Sequence, residues 1–426
     1  MTNSMLMSAK IVAPEPAVQI PREIQVLIAA AFLIAIGFGI VAPVLPQFAA
    51  SFDVSVSAAA VVVSVFAFTR LVFAPLSGVL VERWGERSTY VVGILIVGAS
   101  SAACAFAQNY WQLLLFRGLG GIGSTMFTVA AMGLLIRLAP PQARGKVSSL
   151  YAGSFLLGNI AGPVVGGLLA GFGMQLPFLV YAVALLLVAI LVATQLPANK
   201  AVPGVTKAVK GAVLPLRDAL GMPAYRAVLT SGFANGWSAF GIRMALVPLF
   251  ATVALGAGPE VAGVSLAVFA VGTALALTFS GKFADTWGRK PMILAGLAVN
   301  GVAMGVLGFT GNEFWFFLVS AIAGIGSGLM GPAQQATIAD VIGNNRSGGK
   351  VLATFQMSSD LGAIIGPIAA GVLVDMFSYG LAFAMATVVS LISMAFWLAA
   401  KDTLHRDVKL LPTTEHGPSL GAEQLD

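Results

Sequence analysis

Four ionisable side chains stand inside long apolar runs: Arg70, Arg117, Arg243 and Asp360. A charge at mid-bilayer costs roughly 2.5–3.5 kcal/mol on insertion scales, so each marks a candidate site. A carboxyl there can take up and release a proton, and a guanidinium can pair with it or hold another anion. Asp360 lies ten residues beyond Lys350, about 15 Å along a helix, and Arg70 lies thirteen residues before Arg83, about 20 Å. Enzyme chemistry finds little support. The only histidines, His405 and His416, fall in the C-terminal tail, and the single cysteine, Cys104, reads as a small buried hydrophobe. No Cys/His metal cluster and no phosphate-binding Gly-x-x-x-x-Gly-Lys loop is present, so neither a cofactor nor a metal is expected.

The elements that must position these four residues follow from composition. Apolar residues make up 58% of the 426-residue chain and charged residues 9%, against about 25% charged in soluble domains. Apolar stretches near 20 residues, the length that crosses a bilayer, recur at roughly 24–48, 57–82, 88–107, 110–137, 147–171, 175–196, 226–252, 259–284, 291–309, 314–339, 351–374 and 381–399. This predicts an all-α membrane protein of twelve spans. All but three of the 23 Lys and Arg fall at one face, while the turns at the other carry only Asp53, Glu260, Glu313 and Asp375. The positive-inside rule then puts both termini in the cytoplasm. The same placement argues against nucleic acid as the partner of the +6 net charge.

The chain also repeats itself. Phe38-Gly39-Ile40 returns as Phe240-Gly241-Ile242, Gly121-Ile-Gly123-Ser124 as Gly324-Ile-Gly326-Ser327, and Gly162-Pro163 as Gly366-Pro367. Offsets of 201–204 residues define two six-span halves of the same orientation, a parallel repeat about the membrane normal. The organisation is a tail (1–22), a six-helix bundle (23–196), a linker (197–223), a second bundle (224–400) and a tail (401–426). The linker holds Lys200, Lys207, Lys210 and Arg217 against one acid, Asp218, and reads as a solvated segment lying on anionic headgroups or as a regulatory surface. Each of the four charges breaks the repeat: Arg70 matches Thr273, Arg117 matches Ser320, Arg243 matches Val41 and Asp360 matches Leu156. The fold itself therefore does not require them.

Three motifs carry more specific information. The 2–3 turn reads Gly78-Val-Leu-Val-Glu82-Arg83-Trp-Gly85-Glu86-Arg87, and the 8–9 turn reads Gly281-Lys-Phe-Ala-Asp285-Thr-Trp-Gly288-Arg289-Lys290. Gly85 and Gly288 suit a tight turn, and Gly78 and Gly281 suit a close helix crossing. Span 4 holds Arg117-Gly118-Leu-Gly120-Gly121. Its Gly-x-Gly-x-x-Gly lettering is set aside as a dinucleotide fingerprint because no strand precedes it. Span 5 holds Gly158-x-x-x-Gly162-Pro163-x-x-Gly166-Gly167, which suits a bend and close backbone approach.

Together these motifs resemble the major facilitator superfamily, and more closely its twelve-span drug:proton antiporters, over residues 24 to about 400. The resemblance implies a secondary transporter of the bacterial cytoplasmic membrane that works as a monomer. It would export small amphipathic compounds in exchange for protons, through alternating access of two halves. Efflux of a sugar or other metabolite, or a non-transporting sensor or scaffold on the same fold, are the competing readings. The resemblance makes the 2–3 and 8–9 turns a cytoplasmic latch and the span 5 glycines a hinge and seal between halves. It also places spans 2 and 11 side by side, so Arg70 and Asp360 become either a proton-coupling pair made in one access state or a permanent ion pair. Gly120 stands where the family's span 4 motif has Gln. Arg117 and Arg243 fall on cavity-lining spans, where they favour an anionic or neutral substrate or else cap backbone carbonyls. Asn235, Trp237, Gln334, Gln335 and Gln356 line the cavity or bond helix to helix. The first turn carries Glu82 for Asp and Glu86 for a basic residue, which predicts a weaker latch there than at Asp285, Arg289 and Lys290.

Overall fold

A computed structural model of the chain describes residues 21–139, 144–196, 212–343 and 346–404. Lys10, Lys200, Lys207, Lys210, His405 and His416 lie outside the described residues. Twelve helices are long and apolar enough to cross a membrane. The first half has span 1 (Arg22–Ala50), span 2 (Val56–Trp84), span 3 (Glu86–Ala105), span 4 (Tyr110–Leu138), span 5 (Arg144–Ala170) and span 6 (Leu176–Gln195). The second has span 7 (Pro223–Ala254), span 8 (Pro259–Thr286), span 9 (Arg289–Leu307), span 10 (Glu313–Ile342), span 11 (Gly349–Met376) and span 12 (Tyr379–Ala399). Every predicted span is present, with ends displaced by a few residues.

Local chemistry sets these ends. At the acidic-turn face, Ser55, Asn109, Asn312 and Ser378 accept from the backbone N–H three residues on, capping spans 2, 4, 10 and 12. Asn109 and Asn312 are 203 residues apart, so the repeat extends to its caps. At the basic-turn face Gly85 and Gly288 have φ of 80° and 127°, which side chains rarely adopt, and each turns the chain between two spans. Span 1 is interrupted between Val41 and Leu45, beside Pro43 and Pro46. Span 7 loosens into i→i+5 turns at Gly236–Ile242 and Phe250–Ala254, a widening found often at functional sites.

Each half has its own core. Tyr90, Ile94, Phe178, Tyr181 and Leu185 pack inside the first, and Tyr225, Phe316, Phe383 and Trp397 inside the second. The linker's described end pairs Ala212–Val213 in parallel with Arg346–Ser347 of the 10–11 turn, then forms a short helix, Leu216–Gly221.

The two halves meet along spans 2 and 11 and spans 5 and 8. The closest approaches lie toward the acidic-turn face. The Asp375 carboxylate accepts from the backbone N–H groups of Val56 and Ser57 at 2.9 and 3.0 Å. A Cβ on Gly371 would lie 2.6 Å from Ser57 Cα, and one on Gly167 would lie 2.9 Å from Glu260 Cα. Deeper in, Ser64 Oγ donates to Ile364 O at 2.9 Å. Toward the basic-turn face, by contrast, nothing lies within 4 Å of a Cβ built at Gly78, Gly281 or Gly349. The bundle is sealed at one face and parted at the other.

Candidate functional site

The four embedded charges sit in three different electrostatic settings. Arg70 and Asp360 are half-buried on spans 2 and 11. Each lies in the other's field, yet no direct ion pair within 4.0 Å joins them. The Asp360 carboxylate instead accepts from Gln356 Nε2 at 3.2 Å, one helical turn away. A permanent Arg70–Asp360 ion pair is thus absent from this state. Arg243, 9% exposed, is anchored: its Nε donates to Ala239 O at 2.8 Å and an Nη to Leu266 O at 3.4 Å. Its guanidinium also lies 4.3 Å from the Phe269 ring. This is the carbonyl-capping role, and the carbonyl of Ala239 belongs to the loosened Gly236–Ile242 stretch of span 7. Arg117, 6% exposed, stacks on Phe66 at 4.0 Å and faces Phe38 at 5.8 Å.

The polar candidates divide. Asn235 Oδ1 accepts from Ser327 Oγ at 2.9 Å, and Gln334 Nε2 donates to Ser231 Oγ at 3.1 Å, so both bond span 7 to span 10. Trp237 is buried against span 11 beside Gly362 and Gly366. These three hold helices together, as their position between packed spans requires. Gln335 and Gln356 remain exposed at membrane depth.

The two turn motifs are built as charge-swapped copies. In the second half Arg289 Nε pairs with Asp340 Oδ2 at 3.1 Å and reaches Asp285 at 3.2 Å. In the first half Glu86 pairs with Arg137 at 2.6 Å. Residues 86 and 289 are 203 apart, and so are 137 and 340. The acid at position 86 is therefore compensated by a base on span 4. Arg87 and Lys290 also correspond: Arg87 donates to Ala193 O, and Lys290 Nζ donates to Leu398 O and Ala400 O, tying the ends of spans 6 and 12. Glu82 and Arg83 are exposed, and no ion pair among the described residues holds them. The close helix crossing expected at Gly78 and Gly281 is not made here, because the halves are parted at that face.

The swap gives a test. Glu86→Gln is expected to cost about 1 kcal/mol, read as a fall in Tm of the purified protein. Glu86→Arg combined with Arg137→Asp, which writes the second-half arrangement into the first, should recover most of it. A double variant no more stable than the single one refutes the equivalence.

The span 5 glycines serve two partners. Gly158, Gly162 and Gly166 present their bare faces to Ala35–Ile40 of span 1, within the first half. Gly167 and Pro163 sit against Pro259–Gly263 of span 8, in the other half. Both sets recur four residues apart, which on a helix defines two adjacent stripes. One span thus lies tight against its own bundle while touching the neighbour.

Two pseudo-symmetric helical bundles, tightly sealed at one end around embedded charges, define a multi-pass membrane carrier rather than an enzyme. The Major Facilitator Superfamily description matches residues 27–250 and 228–422, and the chain belongs to that family. It is 26% identical over 389 residues to Multidrug resistance protein 1 of Bacillus subtilis (strain 168), covering 90% of this chain and 97% of that protein. It is 25% identical over 360 residues to Quinolone resistance protein NorA of Staphylococcus aureus (strain COL), covering 83% and 90%. Among solved structures, a bacterial homolog of the human lysosomal transporter Spinster, inward-facing and unoccupied, superposes with a TM-score of 0.71 at 18% identity, covering 88% and 96%. A POT family transporter in complex with 5-aminolevulinic acid gives 0.74 at 11% identity, covering 89% and 95%. Both structures support the fold alone.

Proposed function

We propose that this protein exports small amphipathic compounds, of the kind its multidrug- and quinolone-resistance relatives are named for, in exchange for protons. The basic turns face the cytoplasm, both termini are cytoplasmic, and the structure is then an inward-open state with its outer face sealed. The observation that carries the coupling is the placement of Arg70 and Asp360 on facing spans 2 and 11, within each other's field but out of contact while the cytoplasmic side is parted. Closing that side brings the pair together. Protonating Asp360 removes its attraction for Arg70 and frees the halves to part again. The test is a lipophilic dye and a fluoroquinolone, assayed as substrates in proteoliposomes under an imposed pH gradient. Accumulation against the dye gradient, collapsed by a protonophore, is expected. Equilibration unaffected by the gradient overturns proton coupling, and no flux of either compound overturns drug export.

The cytoplasmic latch belongs to the same reading. Asp285 is held by Arg289, which Asp340 also holds, whereas no ion pair among the described residues holds Glu82. Asp285→Asn is therefore expected to slow transport about tenfold, about 1.4 kcal/mol and toward the lower end of the one-to-three kcal/mol typical of such couplings, and Glu82→Gln less than twofold. The opposite ranking in initial-rate measurements rejects the assignment of the stronger latch to the 8–9 turn.

A further inference from the structure

Arg117 and Arg243 form a controlled comparison inside one molecule. Both are more than nine-tenths buried, at 6% and 9% exposure. Both stack on a phenylalanine, Phe66 on span 2 and Phe269 on span 8, and these two rings are 203 residues apart, at matching positions of the repeat. Arg243 shows how this fold satisfies a structural arginine, with carbonyl oxygens of Ala239 and Leu266 taking its donors. Arg117 has no such acceptor. Its Nε is sealed without a hydrogen-bond partner, and its Nη atoms, which are not sealed, make no hydrogen bond to a described residue either. The titratable groups in its field are Cys104 and Tyr181, on spans 3 and 6, neither a carboxylate. At the matching position of the second half stands Ser320, fully engaged with Phe316 O at 2.7 Å and Ser265 Oγ at 2.9 Å. The packing there asks only for a small hydroxyl, so the arginine is an addition whose charge the protein leaves unanswered.

A buried guanidinium without acceptors loses its hydration and regains only its stacking on aromatic rings. With Nε sealed, its two Nη groups still present the planar N–H donors that match a carboxylate or similar oxyanion. Two adjacent aromatic rings beside it, Phe66 and Phe38, 6.0 Å apart, extend that match to a flat apolar body attached to the anion. We infer that Arg117 is a substrate-binding residue that receives the negatively charged group of an aromatic or amphipathic acid. The inference rests on the reading of the chain as a small-molecule transporter and narrows its substrates to those carrying one anionic group.

Binding, rather than transport, tests it. Three probes share one ring system: 1-naphthoate, the neutral 1-naphthamide and cationic 1-naphthylmethylammonium. Each is titrated by calorimetry against the full-length protein in phosphatidylcholine nanodiscs, which remove anionic lipid headgroups as a competing source of the charge. Naphthoate is expected to bind at least tenfold more tightly than naphthamide, with the ammonium weakest. Arg117→Gln should remove the preference for naphthoate and leave naphthamide affinity within twofold, while Arg117→Lys keeps the preference at reduced size. Equal affinities for all three probes, or a preference for the ammonium, overturns the inference. So does an Arg117→Gln protein that melts normally and still prefers naphthoate. Loss of all binding together with a collapsed Tm, in Gln and Lys variants alike, assigns Arg117 a structural role and also overturns it. Naphthoate binding that survives when proteoliposomes show no flux of the dye or the fluoroquinolone leaves the anion site standing and fails only the export reading.

Discussion

Asp360→Asn is expected to abolish uphill, proton-driven efflux while leaving downhill exchange of the same compound within a fewfold of the parent. The amide keeps the size of the protonated acid and can still bond Gln356, whose Nε2 lies 3.2 Å from the carboxylate. What it cannot do is alternate between charged and neutral. Other acids lie near span ends, as Asp340 and Asp375 do, or in the polar turns, as Asp53 and Glu260 do. Asp360 is thus the acid available to the gap between the halves at membrane depth. A two-state carrier must be moved across its equilibrium by something that binds the two states unequally, and about 5.5 kcal/mol separates a 1:99 from a 99:1 population. An ion pair made in one state and broken by a proton in the other supplies such a difference. The measurement is the ratio of pH-gradient-driven to gradient-free flux in proteoliposomes. It should fall at least a hundredfold for Asp360→Asn and for Arg70→Gln. Full uphill efflux by Asp360→Asn removes the residue from the coupling step.

Much of this arrangement was legible in the residue order. The span count followed from apolar runs and from the one-sided placement of Lys and Arg, because a slip of one span would have scattered the charges over both faces. The twofold design followed from Gly-Pro and Phe-Gly pairs that recur at a fixed offset. The site was only partly readable. Asn235 and Gln334 read from the sequence either as cavity residues or as bonds between helices; a polar side chain at membrane depth needs a partner, and here another helix provides it. The signal for that existed, since Ser231 and Ser327 are small hydroxyls on the same two spans. The swapped pairs Glu86–Arg137 and Arg289–Asp340 were also written in the chain. Reading the 2–3 turn alone made Glu86 a defect, whereas positions 137 and 340 show it to be half of an exchange. What no residue pattern revealed is the access state, because two packings of the same helices share one sequence.

Removing the Asp375 carboxylate is expected to open the acidic-turn face. Asp375 ends span 11, and its two oxygens accept from the first N–H groups of span 2, which the sequence separates by more than 300 residues. The first four N–H groups of a helix have no partner within it, and the helix dipole adds positive potential there. A carboxylate from the other half is thus both a cap and a counter-charge, of the kind worth roughly 0.5–2 kcal/mol. Ser55 caps the same end from within span 2, accepting from Ala58 N at 3.2 Å, so the helix itself survives the loss. The effect should fall on the equilibrium between the sealed and open forms of that face, where about 1–2 kcal/mol means a factor of 5–30. The other contact line offers no replacement, because Gly167 and Gly263 meet span partners there through backbone alone. Spin labels at Phe172 and Phe309, exposed at 84% and 70% near the acidic-turn ends of spans 5 and 9, report the separation of the halves. Asp375→Ala should raise the long-distance population at least fivefold and Asp375→Asn somewhat less, with Asp375→Glu close to the parent. Gly371→Val, which drives a side chain into Ser57, should mimic the alanine variant with the carboxylate still present. Unchanged distance distributions in both the alanine and valine variants would mean that the halves are held at that face by packing elsewhere, and that the carboxylate only finishes a helix end.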